Sequence, residues 1–239
     1  VEAAGPGTKV ITTRVEHPAV LGPCARLKER GHNVVELGVD ASGQLNPADL
    51  RKELAGGPAL VTIMWANNET GVIFPIPEIA RIVKEAGALL HTDAVQTVGK
   101  LPIDMQTIPV DMLSFSGHKL HAPKGIGVLY VRKGTRIKTF MIGGHQEGGR
   151  RGGTENVPYI VGLGAACELA ARTMTDEATR VAALRDRLEK RLLDSCPDTR
   201  VNGDRQHRLP NTSNISFEFI EGEAILYHLS DLGICASSG

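Results

Sequence analysis

The chain has 239 residues, with 27 Lys and Arg balancing 27 Asp and Glu and 41% apolar residues. Zero net charge argues against a general nucleic-acid binder, which carries a basic excess, and the longest apolar runs fall far short of the roughly 20 residues a membrane span needs. The length fits one large domain, or one and a half, at roughly 150 residues per domain, enough to hide about 70% of its unfolded surface.

Strands and helices alternate from the start. Lys9–Thr13 is a β-rich run, and Pro18 at a first helical turn opens a helix towards Arg30 that Gly31 stops. Residues 33–37 read as the next strand, Asn46-Pro47 starts a short helix to about Leu54, and 59–64 is a short apolar strand. A helix over 77–86 follows, then three more buried strands over 88–91, 111–115 and 126–131. This order predicts an α/β fold with a mostly parallel sheet between helices, and ligands in such sheets bind where the strands' carboxyl ends open into loops. Beyond Thr154 the pattern changes to two helical stretches, 156–173 and 175–196, the second with a solvated charged side that includes Arg180, Arg185, Asp186, Glu189 and Lys190. A strand over 213–219, a helix over 221–232 and a core strand over 234–236 holding Cys235 complete the chain. The expected domains are a large one, 1–173, and the start of a smaller α+β one, 174–239. Val1 is not an initiator Met and Gly239 follows an apolar stretch, so both domains are expected to be truncated.

Polar clusters follow three of the strands: Asn67-Asn68-Glu69-Thr70-Gly71, His91-Thr92-Asp93-Ala94-Val95-Gln96 and Ser114-Phe115-Ser116-Gly117-His118-Lys119. Each alone is ordinary turn chemistry. Together they put carboxylate, amide, hydroxyl, imidazole and amine on one rim of one sheet. Pyridoxal phosphate needs such a set: a Schiff-base lysine, an acid for the ring nitrogen and small polar donors for the phosphate. Lys119, flanked by Ser116 and His118, is the lysine that fits. Gly125-Ile126-Gly127 precedes a strand, so it is no dinucleotide fingerprint, and no P-loop occurs. His118 and His121 lack a carboxylate at ligand spacing, and Lys119 between them repels a cation, so no metal site is expected. Cys24, Cys167, Cys196 and Cys235 form no C-x-x-C pair, which favours a reduced, cytoplasmic home over a disulfide scaffold.

These runs, with Met64-Trp65-Ala66 ahead of the first and Gly143-Gly144-His145-Gln146-Glu147 leading into Arg150-Arg151-Gly152-Gly153-Thr154-Glu155-Asn156, resemble the pyridoxal-phosphate cysteine desulfurases, closest to their nitrogen-fixation branch. The resemblance runs from about Thr12 to Gly239 and implies the pyridoxal-phosphate fold type I large domain, working as a homodimer. It implies that Lys119 carries the cofactor and that Asp93 partners the ring nitrogen. Asn68 and Gln96 would lie near the ring hydroxyl, and Ser116 and His118 would hold the phosphate. His17, in Val15-Glu16-His17-Pro18, would stack on the ring and shuttle protons, and Thr154 would reach the phosphate in the other subunit. From the residues alone, His17 reads first as a helix-entry residue ahead of a proline, and Arg150 and Arg151 equally as surface or interface charges.

The implied reaction takes sulfur from L-cysteine, leaving L-alanine and a persulfide for an iron–sulfur scaffold or another acceptor. None of the four cysteines matches the family's sulfur-accepting cysteine, expected beyond Gly239 with the substrate-gripping arginine, so this piece alone is expected to be inactive. A selenocysteine lyase and an aminotransferase of the same fold share these motifs, and a non-catalytic dimerising piece is a further reading. The residues alone do not decide among them.

Overall fold

The computed structural model describes residues 7–57 and 59–238, so Gly239 and residues 1–6 and 58 lie outside the described part. Its centre is a six-stranded sheet of β1 (Lys9–Thr13), β2 (Val34–Leu37), β3 (Ala59–Thr62), β4 (Leu89–Asp93), β5 (Met112–Ser116) and β6 (Gly127–Val131), in the order β2-β1-β3-β4-β5-β6. Five strands run parallel and β6 alone pairs antiparallel, with β5. That is the mostly parallel α/β sheet the alternation predicts. The crossovers are α1 (Pro18–Glu29), α2 (Pro47–Leu54) and α3 (Ile76–Glu85). Each has proline in its first turn, where a missing N–H costs nothing, and the side chains of His17 and Asn46 accept the amides of Ala19 and Ala48 to cap α1 and α2. Ile76, Ile79, Ala80 and Val83 form one stripe of α3 and bury it against Val61, Leu90 and Leu113 of the central strands. Each fully buried Ile or Leu stabilises the fold by about 1.5–3 kcal/mol, and this packing holds the strand ends in place.

One strand end departs from expectation because a distant side chain takes over its ladder. The run expected as strand to residue 64 is strand only to Thr62. The amides of Ile63 and Trp65 still donate to His91 and Asp93 of the next strand. The Met64 amide lies on the β1 side, where β1 has already ended, and it donates to the Glu16 side chain at 2.8 Å instead. Glu16 thereby continues a ladder that the backbone has left. Beyond β5, residues Gly117–Leu120 form a 3-10 turn.

The two helices expected over 156–173 and 175–196 are one helix, α5 (Val157–Ser195), of 39 residues, preceded by the single turn α4 (Gln146–Gly149). The threonines at the expected break do not stop it. Thr173 donates its hydroxyl to the Leu169 carbonyl at 3.0 Å, and Thr179 does the same to Thr175, a back-bond that a helix interior accommodates. The expected domain boundary at 173/174 falls inside this helix.

Glu189 also departs from the charged side expected to face water. It is 1% exposed, and its carboxylate makes a two-point ion pair with Arg208, which is 8% exposed, while Ser213 donates to Glu189 at 2.8 Å. The partner arrives 19 residues later in the chain, which helix periodicity does not register. Arg208 in turn bridges to Val72, and the Leu209 amide donates to the Gly71 carbonyl, so this pair ties α5 to the segment that follows β3.

The rest is a two-stranded antiparallel sheet, β7 (Thr199–Val201) and β8 (Ile215–Phe217), followed by α6 (Gly222–Asp231). The core strand expected over 234–236 is absent, and Cys235 is exposed. A strand needs a neighbour to pair its amides, and none of the described residues ladders with this segment.

Candidate active site

The loops that leave β1, β3, β4 and β5 open at the same edge of the sheet, because parallel strands point their carboxyl ends one way. Asp93 is the last residue of β4 and is 8% exposed. Its Oδ1 accepts the Val95 amide at 2.9 Å, which pins the carboxylate, while Oδ2 accepts no hydrogen bond among the described residues. Across the β4–β5 ladder Asp93 registers with Ser114. One turn on, Ser116 Oγ and His118 Nδ1 are 2.6 Å apart, with His118 and Lys119 exposed on the 3-10 turn. Asp93, Ser116, His118 and Lys119 come from the ends of the adjacent strands β4 and β5 and the turn after β5, and form the centre of the rim.

The other predicted residues are placed around it. His17 caps α1, its Nδ1 accepting the Ala19 amide at 3.1 Å, so the helix-entry reading holds, and the neutral ring carries its proton on Nε2. Of the asparagine pair, Asn67 is buried and organises the turn: its Oδ1 accepts from the Glu69 and Thr70 amides and its Nδ2 donates to the Val15 carbonyl at 3.0 Å. That leaves Asn68, half-buried and bonded to Glu69, as the amide turned from the turn's interior bonds. Gln96 is half-buried, and its backbone carbonyl accepts from Lys100 Nζ at 3.0 Å. Asn68 lines a cleft of about 690 Å³ shared with β8 and α6, whereas Lys119 lines one of about 450 Å³ beneath α5 with Lys100 and Ala170. Thr154 is exposed ahead of α5 and forms no hydrogen bond with these residues.

Three further groups shape the electrostatics, and none stands out as a single letter of sequence. Glu16 is 4% exposed; its Oε1 accepts from the Thr13 hydroxyl at 2.9 Å and the Met64 amide, and its Oε2 is buried without a hydrogen-bond partner. Burial drives this carboxyl up to about 7; its two hydrogen bonds oppose the rise and the charge of Asp93 adds to it. His91, two residues before Asp93, bridges Thr62 Oγ1 at 2.9 Å and Ser114 Oγ at 3.1 Å, and burial pushes its imidazole below the ordinary value against the pull of Asp93. Lys100 is pushed down by burial and then by the charge of Lys119. Thus Asp93 stands between a carboxyl and an imidazole whose surroundings both favour the neutral form. The sequence signal for Glu16 was its place directly after a strand; its partner amide is 48 residues away.

This donor set fits pyridoxal phosphate. A buried carboxylate with one open oxygen suits the ring N–H, a hydroxyl–imidazole pair suits a phosphate, and an exposed amine suits the aldehyde.

The model of the family described as aminotransferase class-V matches residues 1–239. Over 230 residues the chain is 59% identical to a cysteine desulfurase of Nostoc sp., an alignment covering 96% of this chain and 58% of that protein. It is 56% identical over 230 residues to the cysteine desulfurase NifS of Azotobacter vinelandii, covering 96% and 57%. Among solved structures, a NifS-like protein superposes with a TM-score of 0.93 at 39% identity, covering 98% of this chain and 64% of that one. A NifS-like protein from Rickettsia africae gives 0.90 at 32% identity, covering 98% and 64%. The chain therefore spans less than two thirds of the length of each of these relatives.

Proposed function

The chain belongs to the class-V aminotransferase family, and we propose that the protein is a pyridoxal-phosphate-dependent cysteine desulfurase, removing sulfur from L-cysteine to give L-alanine. The carrying observation is the buried Asp93 carboxylate with its open Oδ2 at the end of β4, beside the Ser116–His118 pair and Lys119 at the end of β5. The similarity to proteins named cysteine desulfurase supports the choice of substrate.

When bound, the cofactor supplies an aldehyde carbon that takes up an amino group and a ring that accepts an electron pair. The chain's own residues do the rest. Asp93 would hold the ring nitrogen, its open Oδ2 accepting the ring N–H in a charge-assisted hydrogen bond, stronger than a neutral one. Ser116 at the end of β5 and His118 on the 3-10 turn would hold the phosphate, and that turn puts Lys119 next in line. Lys119 would hold the cofactor's aldehyde, and its amine would hold or move a proton beside the substrate. His17, its Nδ1 held by the Ala19 amide, orients a ring whose Nε2 exchanges a proton. Asn68 and Gln96 serve the ring hydroxyl.

In this reading 1–173 is the cofactor-binding domain and 174–239 begins the smaller one. The protein works as a cytoplasmic homodimer in which Thr154 serves the partner's phosphate. The exposed Phe140, Ile142, Val157 and Ile160 near it, 95%, 90%, 57% and 42% accessible, support burial against a second copy. The sulfur taken from cysteine would pass as a persulfide to an iron–sulfur scaffold, in nitrogen fixation or general supply.

Borohydride fixation of the cofactor followed by peptide mapping tests the site. The label belongs on Lys119; label on Lys100 or Lys124 overturns the assignment.

A further inference from the structure

Glu16 has no part in the chemistry of Lys119 and Asp93, yet it is the most thoroughly enclosed acid next to it. Three elements converge on it. Thr13 at the end of β1 and Met64 just beyond β3 both donate to Oε1, at 2.9 and 2.8 Å. The next backbone amide, Trp65, donates to the Asp93 carbonyl at 2.8 Å, so Glu16 and Asp93 hang on consecutive rungs of the same stretch. Its second oxygen is buried with no partner among the described residues. The titratable groups facing it are Asp93 from β4, the buried Cys24 from α1, which responds to Glu16 and Glu36, and His17, its neighbour in the chain. His91 acts on Asp93 from the same strand. Among the described residues no cationic side chain forms an ion pair with Glu16: His17 turns its Nδ1 to the Ala19 amide, and burial opposes a charge on His91.

Two carboxylates in one water-poor place cannot both ionise cheaply unless a cation joins them. A protonated pyridine ring held by Asp93 is such a cation. We propose that Glu16 is a positioning residue for the ring-nitrogen contact, neutral while the site is empty and giving its proton to solvent when Asp93 takes up the cationic ring. Loading is then proton-coupled: one Glu16 proton leaves as the cofactor arrives, and the ring is held by two negative charges instead of one. Without the cofactor, burial raises the carboxyl to about 7, so it is about half neutral at pH 7 and mostly neutral below it, within reach of an ordinary cellular pH. A Glu16 that merely braced the Met64 amide would keep one titration midpoint with or without cofactor.

The inference rests on the cofactor reading, and the test separates the two. In protein labelled at the glutamate carboxyl carbons, the Glu16 signal is identified by its loss in Glu16→Gln and titrated by NMR with and without pyridoxal phosphate. Loading should lower the midpoint by about one pH unit or more, the scale of an opposite charge brought close. Calorimetric titration of the cofactor in buffers of different ionisation enthalpy should show up to about half a proton more released at pH 7 by the native protein than by Glu16→Gln, because a carboxyl with a midpoint of about 7 is half protonated there. An unmoved midpoint with cofactor demonstrably fixed on Lys119 overturns the role of Glu16 and leaves the cofactor reading standing. Failure of the cofactor to bind in a Lys119-dependent way overturns both. Should Glu16→Gln not fold, Thr13→Val serves instead. Losing one of the two donors to Oε1 should raise the cofactor-free midpoint, and a midpoint that stays put counts against the proposal.

Discussion

Replacing Glu16 by glutamine changes how the stability of the cofactor-free protein depends on pH, and the size of the change can be worked out. The folded chain raises this carboxyl from 4.5 to about 7, chiefly by burial. A raised folded value means that between those pH values the folded state holds a proton the unfolded chain has already lost. The contribution is therefore complete below pH 4.5 and is lost as pH climbs through about 7. At about 1.4 kcal/mol per pH unit, the span amounts to about 3 kcal/mol. Glutamine keeps the amide and hydroxyl bonds to its oxygen and has no proton to lose, so its stability lacks this slope. Other groups share the window. His91, held below its ordinary value, contributes stability that is present above that value and fades as the solution is acidified, the opposite sense. The informative quantity is thus the difference between native protein and Glu16→Gln, in which His91 cancels. Urea unfolding at pH 5, 6, 7 and 8 should show the native protein gaining about 2–3 kcal/mol on the variant as pH falls. Parallel curves for the two proteins would refute the burial argument.

Other outcomes rest on the same geometry. Asp93→Asn should keep part of the cofactor affinity but slow proton removal from substrate by roughly a hundredfold, the scale of losing one fixed electrostatic partner; near-normal turnover would remove Asp93 from the role. Arg208→Ala leaves Glu189 charged and buried and should cost about 3–5 kcal/mol in denaturant unfolding, whereas exchanging both for apolar residues should cost far less. Gly99→Ala should be destabilising by calorimetry, because Gly99 sits at φ +75° and a Cβ there would run into Leu120 Cδ2. The purified 239 residues with pyridoxal phosphate, cysteine and a thiol reductant should release neither sulfide nor alanine catalytically, and Cys235→Ser should change nothing. The exposure of Cys235 makes that variant a needed control, since burial does not protect it. Turnover abolished by the substitution would place the sulfur acceptor at Cys235.

Much of the fold was legible in the residues. The order of strands and helices, the prolines in the first turns of α1, α2 and α3 and the apolar stripe of α3 act within a few residues, so local chemistry sets them. The rim was legible too, because parallel strands bring their ends together: the residues just past β3, β4 and β5 are neighbours in space by topology alone. The features that the residues did not disclose depend on partners far along the chain. Glu189 looks like part of a wet helix face until Arg208 arrives to bury it, and Cys235 looks like core where no strand comes to pair with it. The charge state around Asp93 is decided the same way. Whether Glu16 is a solvated acid or a buried neutral one turns on the Met64 amide, left without a strand partner where β1 ends, and only tertiary packing brings that amide and that carboxyl within 2.8 Å.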